Sequence, residues 1–174
     1  MRIGNEGTPP DDILLGFWNK LVELERVKTF FYDGRVQDAG EFITFMKGPS
    51  IFPLLVISAD GARFLALAWL ERFINAIAIS RFCYLDNPQK EIGQQILDYW
   101  NKIELLKVII GITPESHKST VKMIKHLGFH VIGKIPDACN LCYEDRREAG
   151  IISYYLIGEK GNGGQKQNQR IDTN

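Results

Sequence analysis

The chain has 174 residues, 45% of them hydrophobic and 24% charged, which is the composition of a globular protein with enough apolar material for one sizeable core. Lys plus Arg and Asp plus Glu both total 21, so the formal net charge is zero; a global electrostatic attraction to nucleic acid or to an anionic membrane is not indicated. No stretch approaches the ~20 apolar residues of a membrane span, the polar first residues carry no signal-peptide core, and three cysteines are unlike a secreted disulfide framework, so the sequence predicts a cytoplasmic protein.

Residues 1–10 read as an irregular lead-in and 11–157 as a single domain. Pro9 and Pro10 before Asp11 and Asp12 make a helix start with acidic residues in the first turn. Ile13, Leu14, Phe17, Leu21 and Leu24 then recur at helical spacing to about Arg26. The aromatic, β-branched run 27–32 predicts a short strand, turned by Asp33-Gly34. A second helix over 36–46 has Ala39, Phe42, Ile43 and Met46 on its apolar face and stops at Gly48-Pro49. From Pro53 the pattern is β. A strand over 54–58, a turn at Asp60-Gly61, a strand over 63–70, a turn region over 71–75 and a strand over 76–84 predict an antiparallel meander. On the last of these Ile77, Ile79, Arg81 and Cys83 share one face, and Ala78, Ser80, Phe82 and Tyr84 the other.

A helix to about Ile103 follows, with Ile92, Ile96, Tyr99, Trp100 and Ile103 as its buried side. Val108, Ile109, Ile110 and Ile112 form a buried strand broken by Thr113-Pro114. The next helix opens near Glu115-Ser116. It buries Val121, Ile124 and Leu127, points Lys118, Lys122 and Lys125 mostly outward, and ends at Gly128. Phe129, Val131 and Ile132 open another strand. Residues 137–150 read as a charged loop, 150–157 as a final strand, and 158–174, rich in Gly, Asn, Gln and Lys, as a disordered tail.

This element order, with Leu127-Gly128-Phe129 closing the last helix, resembles the GNAT superfamily of N-acetyltransferases over roughly 53–157. The resemblance implies an α/β fold with a mixed, mostly antiparallel central sheet flanked by helices. It implies an acyl-CoA-dependent N-acyltransferase that moves an acetyl group from acetyl-CoA directly to a primary amine, on a small molecule or a peptide. No nucleic acid or membrane partner is expected, and exposed strand edges allow a homodimer. A strand near the N-terminus, usual in the family, is missing or displaced in this reading.

The family's phosphate-binding turn has the form Arg/Gln-x-x-Gly-x-Gly/Ala, with backbone N–H groups at a helix N-terminus holding the pyrophosphate. Its counterpart runs from Pro88 to Gly93 and on to Gln94. Gly93 falls on the second glycine, while Pro88 replaces the Arg/Gln and Glu91 the first glycine. A carboxylate there opposes a pyrophosphate by roughly 1 kcal/mol or more; equally, Pro88 and Glu91 suit an ordinary helix start. By resemblance, Lys90, Glu91, Ile92, Gly93 and Gln94 hold the phosphates, and the backbone of Phe82, Cys83 and Tyr84 holds the thioester arm.

Acetyl transfer to an amine needs a base for the ammonium proton, donors for the oxyanion and an acid for the leaving thiolate. Glu71, the carboxylate nearest the family's base position, is the expected base, set in a turn. Registering on Leu127-Gly128-Phe129 places His117 at a conserved-motif Asn position and Ile124 where the family has its acidic Tyr. Ile124 cannot titrate, so Tyr84, His117, Tyr154 and Tyr155 are the acids to consider. A polar or aromatic residue at such places also serves packing or capping. The motif departures favour a second reading, a GNAT-shaped binding or assembly module without transfer activity. Cys139 and Cys142 have metal or redox spacing but no partner pair at zinc spacing, so no metal is expected. The segment 143–148 reads as a substrate rim or a solvated loop.

Overall fold

A computed structural model describes residues 2–4, 8–85 and 90–158. In chain order the elements are β1 (Arg2–Gly4), α1 (Asp11–Glu23), α2 (Val27–Phe30), α3 (Ala39–Met46), β2 (Ile51–Ile57), β3 (Phe64–Ile74), β4 (Ile77–Tyr84), α4 (Lys90–Trp100), β5 (Val108–Pro114), α5 (Lys118–His126), β6 (His130–Leu141), a 3₁₀ turn (Cys142–Glu144) and β7 (Arg146–Leu156). The strands form one seven-stranded sheet in the order β1-β2-β3-β4-β5-β7-β6. Every neighbouring pair is antiparallel except β4 and β5. The expected α/β fold with a mixed, mostly antiparallel sheet is therefore present.

Both faces of the sheet are covered, which is why the central strands read as nearly continuous apolar runs. Along β3 the alternation divides the cores. Ala66, Ala68 and Leu70 pack with Ile92, Ile96, Trp100 and Ile124 of α4 and α5. Leu67 and Trp69 pack with Leu14, Phe17, Phe42 and Met46 of α1 and α3. On β4, Ala78, Phe82 and Tyr84 join the first core and Cys83 the second, as the period-2 pattern predicts.

Four expectations are corrected. The lead-in is not irregular throughout, because Arg2–Gly4 pairs antiparallel with β2. The run 27–32 is not a strand: Glu25, at φ 55°, turns the chain out of α1 into the helical turn α2. Tertiary packing overrides β propensity there, since Phe31 stacks on Trp69 at 5.9 Å and lies edge-on to Phe42 at 5.9 Å. Glu71 is not in a turn. The strand runs on to Ile74 through a register shift after Glu71, with Arg72 at φ 54°, a bulge that leaves Glu71 in the sheet. Residues 137–150 are mostly strand, because β6 and β7 continue as a long hairpin. Mostly exposed, with only Cys139, Leu141 and Gly150 buried over 137–150, that hairpin lacks the sustained apolar alternation by which a strand is recognised. The predicted disordered tail lies, apart from Gly158, outside the described residues.

Candidate active site

The sheet opens at one place. β4 and β5 pair through only three residue couples, Ile77↔Val108, Ala78↔Ile109 and Ile79↔Ile110. Beyond them β4 stays with β3 as far as Tyr84, and β5 stays with β7 as far as Pro114. The two parallel strands thus part after Ile79 and Ile110, and a cleft of about 80 Å³ lies between them. Ser80, Arg81 and Phe82 form one wall, 111–114 the other, and Ile124 with Phe129 the floor. Thr29, Phe30 and Tyr32 close it from the α2 side, and His117 stands at the start of α5.

Local sequence explains how each polar group arrives there. Pro114 ends β5, and its carbonyl accepts the His117 N–H at 3.0 Å. Glu148 of β7 fixes the same corner, accepting from the Ser116 N–H at 3.0 Å and the Ser116 hydroxyl at 2.7 Å. Arg146 in turn donates to Glu148 at 2.7 Å. The His117 ring makes no capping bond and meets the Tyr32 ring edge-on at 5.8 Å. Burial pushes the His117 imidazole below its ordinary value, partly offset by Glu148 and Glu144. A partly buried imidazole that prefers its neutral form is a proton acceptor at neutral pH.

The Tyr32 hydroxyl accepts from Arg81 Nη1 at 2.8 Å; burial raises the phenol, and the guanidinium counters this. Arg81 is part of an ion network beneath the cleft. Glu71 Oε1 faces Arg81 Nε at 3.5 Å, and Glu71 Oε2 accepts from Arg35 Nη1 at 3.0 Å and Trp69 Nε1 at 3.2 Å. Asp33 pairs with Arg35 at 2.6 Å and reaches Arg81 at 3.9 Å. The Glu71 side chain is only 3% exposed. Sequence reasoning attached no role to Tyr32 or Arg81. The signal was an arginine on a β4 face otherwise made of the apolar Ile77, Ile79 and Cys83, since an arginine in an apolar row calls for carboxylates beside it.

The remaining sequence-derived residues lie along a second feature. Tyr84 is 4% exposed, and its hydroxyl has no hydrogen-bond partner. Burial pushes that phenol up. It sits against the first turn of α4: a Cβ on Gly93 would stand 2.8 Å from Tyr84 Oη and 2.7 Å from both Leu127 methyls. Lys90 and Glu91 are exposed, and Ile92 and Gly93 are buried. Glu91 therefore faces solvent and does not fill the cleft. Gln94 donates to Asp98 at 3.0 Å. Pro88 lies outside the described residues. Beside this turn a groove of about 300 Å³ between α4 and α5 is bordered by Lys90, Ser119, Lys122, Met123, His126 and Leu127. The His126 Nδ1 is bonded to the Lys122 carbonyl at 2.7 Å.

Of the residues named from sequence, the structure brings His117, Phe82 and Ile124 to the cleft, and Tyr84, Gly93 and Lys90 to the adjoining helix start. Glu71 stands behind the cleft wall. Cys83 turns into the α1–α3 core, where burial raises its thiol well above the ordinary value, so only its backbone can serve the cleft. Tyr155 is buried against Phe129 at 5.4 Å, and Tyr154 stacks on His130 at 5.1 Å; neither lines the cleft. Cys139 is buried and Cys142 exposed, both free thiols, and among the described residues no group of three His, Cys, Asp or Glu is placed to hold a metal. No described helix is long and apolar enough to cross a membrane.

No protein-family model matches the chain, and no curated protein matches it by sequence. Solved structures match closely in fold. A spermidine N-acetyltransferase from Vibrio cholerae in complex with CoA and spermine superposes with a TM-score of 0.68 at 15% identity, covering 90% of this chain and 94% of that one. The ribosomal-protein-S5-alanine acetyltransferase from Vibrio fischeri gives 0.69 at 9% identity, covering 91% and 98%. The microcin C7 self-immunity acetyltransferase MccE, in complex with acetyl-CoA and AMP, gives 0.67 at 11% identity, covering 86% and 90%. The chain has the GNAT fold of these acetyltransferases, with a parted β4–β5 pair and a histidine at the cleft.

Proposed function

We propose that this protein is an acyl-CoA-dependent N-acyltransferase that passes an acetyl group from acetyl-CoA to a primary amine by direct attack. The observation that carries this reading is the cleft between β4 and β5 with a neutral-favouring histidine at its edge. Acetyl-CoA supplies the activated thioester; the chain supplies position and proton transfer. Transfer forms a C–N bond and breaks a C–S bond. The ammonium proton must leave before attack, and the departing sulfur must gain one.

His117 is assigned as the base, accepting the amine proton directly or through one water. The edge of β4 at Phe82, Cys83 and Tyr84, beyond its pairing with β5, offers backbone groups to the thioester arm, except the Tyr84 carbonyl, which accepts from Arg26 Nη1 at 2.8 Å. The amides of Lys90, Glu91, Ile92 and Gly93 open α4 and face an anion with the positive end of the helix dipole. Lys90, Lys122 and Ser119 border the neighbouring groove and add donors for phosphate. The unpartnered Tyr84 hydroxyl supports the fit, because a buried donor left empty costs about 1–3 kcal/mol and a ligand laid along β4 gives it an acceptor. Glu71 is held by Arg35, Arg81 and Trp69. We therefore assign it to positioning Arg81 and, through Arg81, the Tyr32 ring.

Release of free thiol from acetyl-CoA, measured with a panel of primary amines, tests the reading. Amine-dependent thiol release that His117→Ala abolishes agrees with it. Binding of acetyl-CoA without release on any amine instead supports the non-catalytic module.

A further inference from the structure

Acetyl transfer needs a second proton group besides His117, because the departing sulfur must gain a proton while the histidine takes one from the amine. Among the described residues that line the cleft, the titratable ones are Tyr32, Arg81 and His117, and an arginine does not give up its proton. Ile124, in the floor, has none to give. Tyr84, Tyr154 and Tyr155 do not line the cleft. Tyr32 does, from the α2 side, across from the start of α5.

The surroundings keep the Tyr32 phenol loaded. Its oxygen accepts from Arg81 Nη1 at 2.8 Å. That guanidinium is not a bare charge. Glu71 and Asp33 both face it, and both also pair with Arg35. The two arginines and two carboxylates cancel, so the cluster does not strip the phenol of its proton, and burial holds the proton on. Cys139 of β6 is the other titratable neighbour of the hydroxyl; burial raises this thiol too, so it is no sink for the proton. A phenolate formed on Tyr32 would still find the Arg81 N–H in place, and that bond strengthens as the oxygen becomes charged. On the base side, Glu148 and Glu144 favour the imidazolium of His117 against the burial that disfavours it.

From this arrangement we infer that Tyr32 is the general acid of the transfer, with Arg81, neutralised by Glu71 and Asp33, as the positioning residue that holds its phenolate. This inference rests on the acyltransferase reading above. As the C–N bond forms, the amine proton goes to His117. As the C–S bond breaks, its electron pair takes the Tyr32 O–H proton, which leaves free thiol and a phenolate beside Arg81. The imidazolium then returns its proton to the phenolate, directly or through one water, between rings that meet edge-on at 5.8 Å. Every proton is accounted for, and both side chains are reset.

Two forms of the protein test this. Tyr32→Phe keeps the ring and removes the proton: the single-turnover rate of acetyl transfer should fall about 10²-fold or more, with acetyl-CoA affinity by calorimetry unchanged within a few-fold. Replacing Tyr32 by a difluorinated tyrosine keeps the hydroxyl and makes it more acidic. The basic limb of the pH–rate profile should then move to lower pH, because a donor that has lost its proton cannot protonate sulfur, and the acid limb set by His117 should stay. A packing role moves neither limb. The fluorinated form exchanges only hydrogen for fluorine, so it decides the question even where Tyr32→Phe fails to fold. A Tyr32→Phe rate within about threefold of the unmodified protein, far from the loss of a general acid, or a basic limb that fluorination leaves in place, would each overturn the inference. An unmodified protein that neither binds acetyl-CoA nor releases thiol from it would instead remove the acyltransferase reading, so the two failures are distinguishable.

Discussion

His117 and Tyr84 carry the sharpest consequences at the scale of single residues. Burial lowers the His117 pKa, so the ring is mostly unprotonated at pH 7. Falling pH charges it and removes the base. The acid limb of kcat should therefore inflect below the ordinary histidine value of about 6.5; an inflection at or above that value would exclude His117 as the base. His117→Ala should lower kcat by about 10²–10⁴ while leaving acetyl-CoA affinity within a few-fold, as measured by stopped-time thiol release and calorimetry. Tyr84→Phe separates a ligand-facing hydroxyl from a packed one. It removes a buried donor that has no partner, so urea denaturation of the ligand-free variant should show no loss of stability, and acetyl-CoA binding should weaken about two- to tenfold. A stability loss above about 1 kcal/mol with unchanged binding would mean the hydroxyl serves the fold and not the ligand.

At the scale of elements, the first turn of α4 and the strand β3 decide how the site is held. A Cβ at Gly93 would collide with Tyr84 Oη and the Leu127 methyls. Gly93→Ala should cost roughly 1–3 kcal/mol by overpacking and weaken acetyl-CoA binding as α4 shifts; near-wild-type values for both in denaturation and calorimetry would show that the tight approach is not required. Glu71→Gln should remove one of the two carboxylates shared by Arg35 and Arg81, with Asp33 remaining to both, and cost at most roughly 3 kcal/mol, the low end for a broken buried pair. These elements were not equally legible. Helices α1, α3, α4 and α5 announce themselves by apolar residues at 3.6-residue spacing, and the faces of β4 by strict alternation. The parting of β4 and β5 leaves no local mark, because it is a relation between strands separated by a helix. Glu71 looked like a turn residue because a charged pair, Glu71-Arg72, interrupts the apolar run; only the bulge and the two arginines explain how it stays in the sheet. Arg81 could be placed on a face but not given its partners Asp33 and Tyr32, which come from a segment some fifty residues earlier. The α2 run 27–32 misled because its β-branched and aromatic residues serve core packing, not strand pairing.

At the scale of the whole molecule, β4 and β5, the one parallel pair among the described residues, part beyond three residue couples and leave a cleft between two strand edges, while the start of α4 borders a separate groove. The fold is what the chain shares with the acetyltransferases it superposes on. The GNAT resemblance was legible from element order and Leu127-Gly128-Phe129, even though Glu91 and Ile124 depart from the family's pattern. In the structure Glu91 points to solvent and Ile124 is buried in the cleft floor. The first departure therefore leaves the cleft open; at the second, the proposed function gives proton transfer to His117, which lines the same cleft. The most direct measurement of this arrangement is calorimetric titration of acetyl-CoA into the unmodified protein. Saturable one-to-one binding with a Kd of about micromolar order, weakened by Tyr84→Phe and by Gly93→Ala, is the predicted result. No saturable binding of acetyl-CoA would contradict the acyltransferase reading outright.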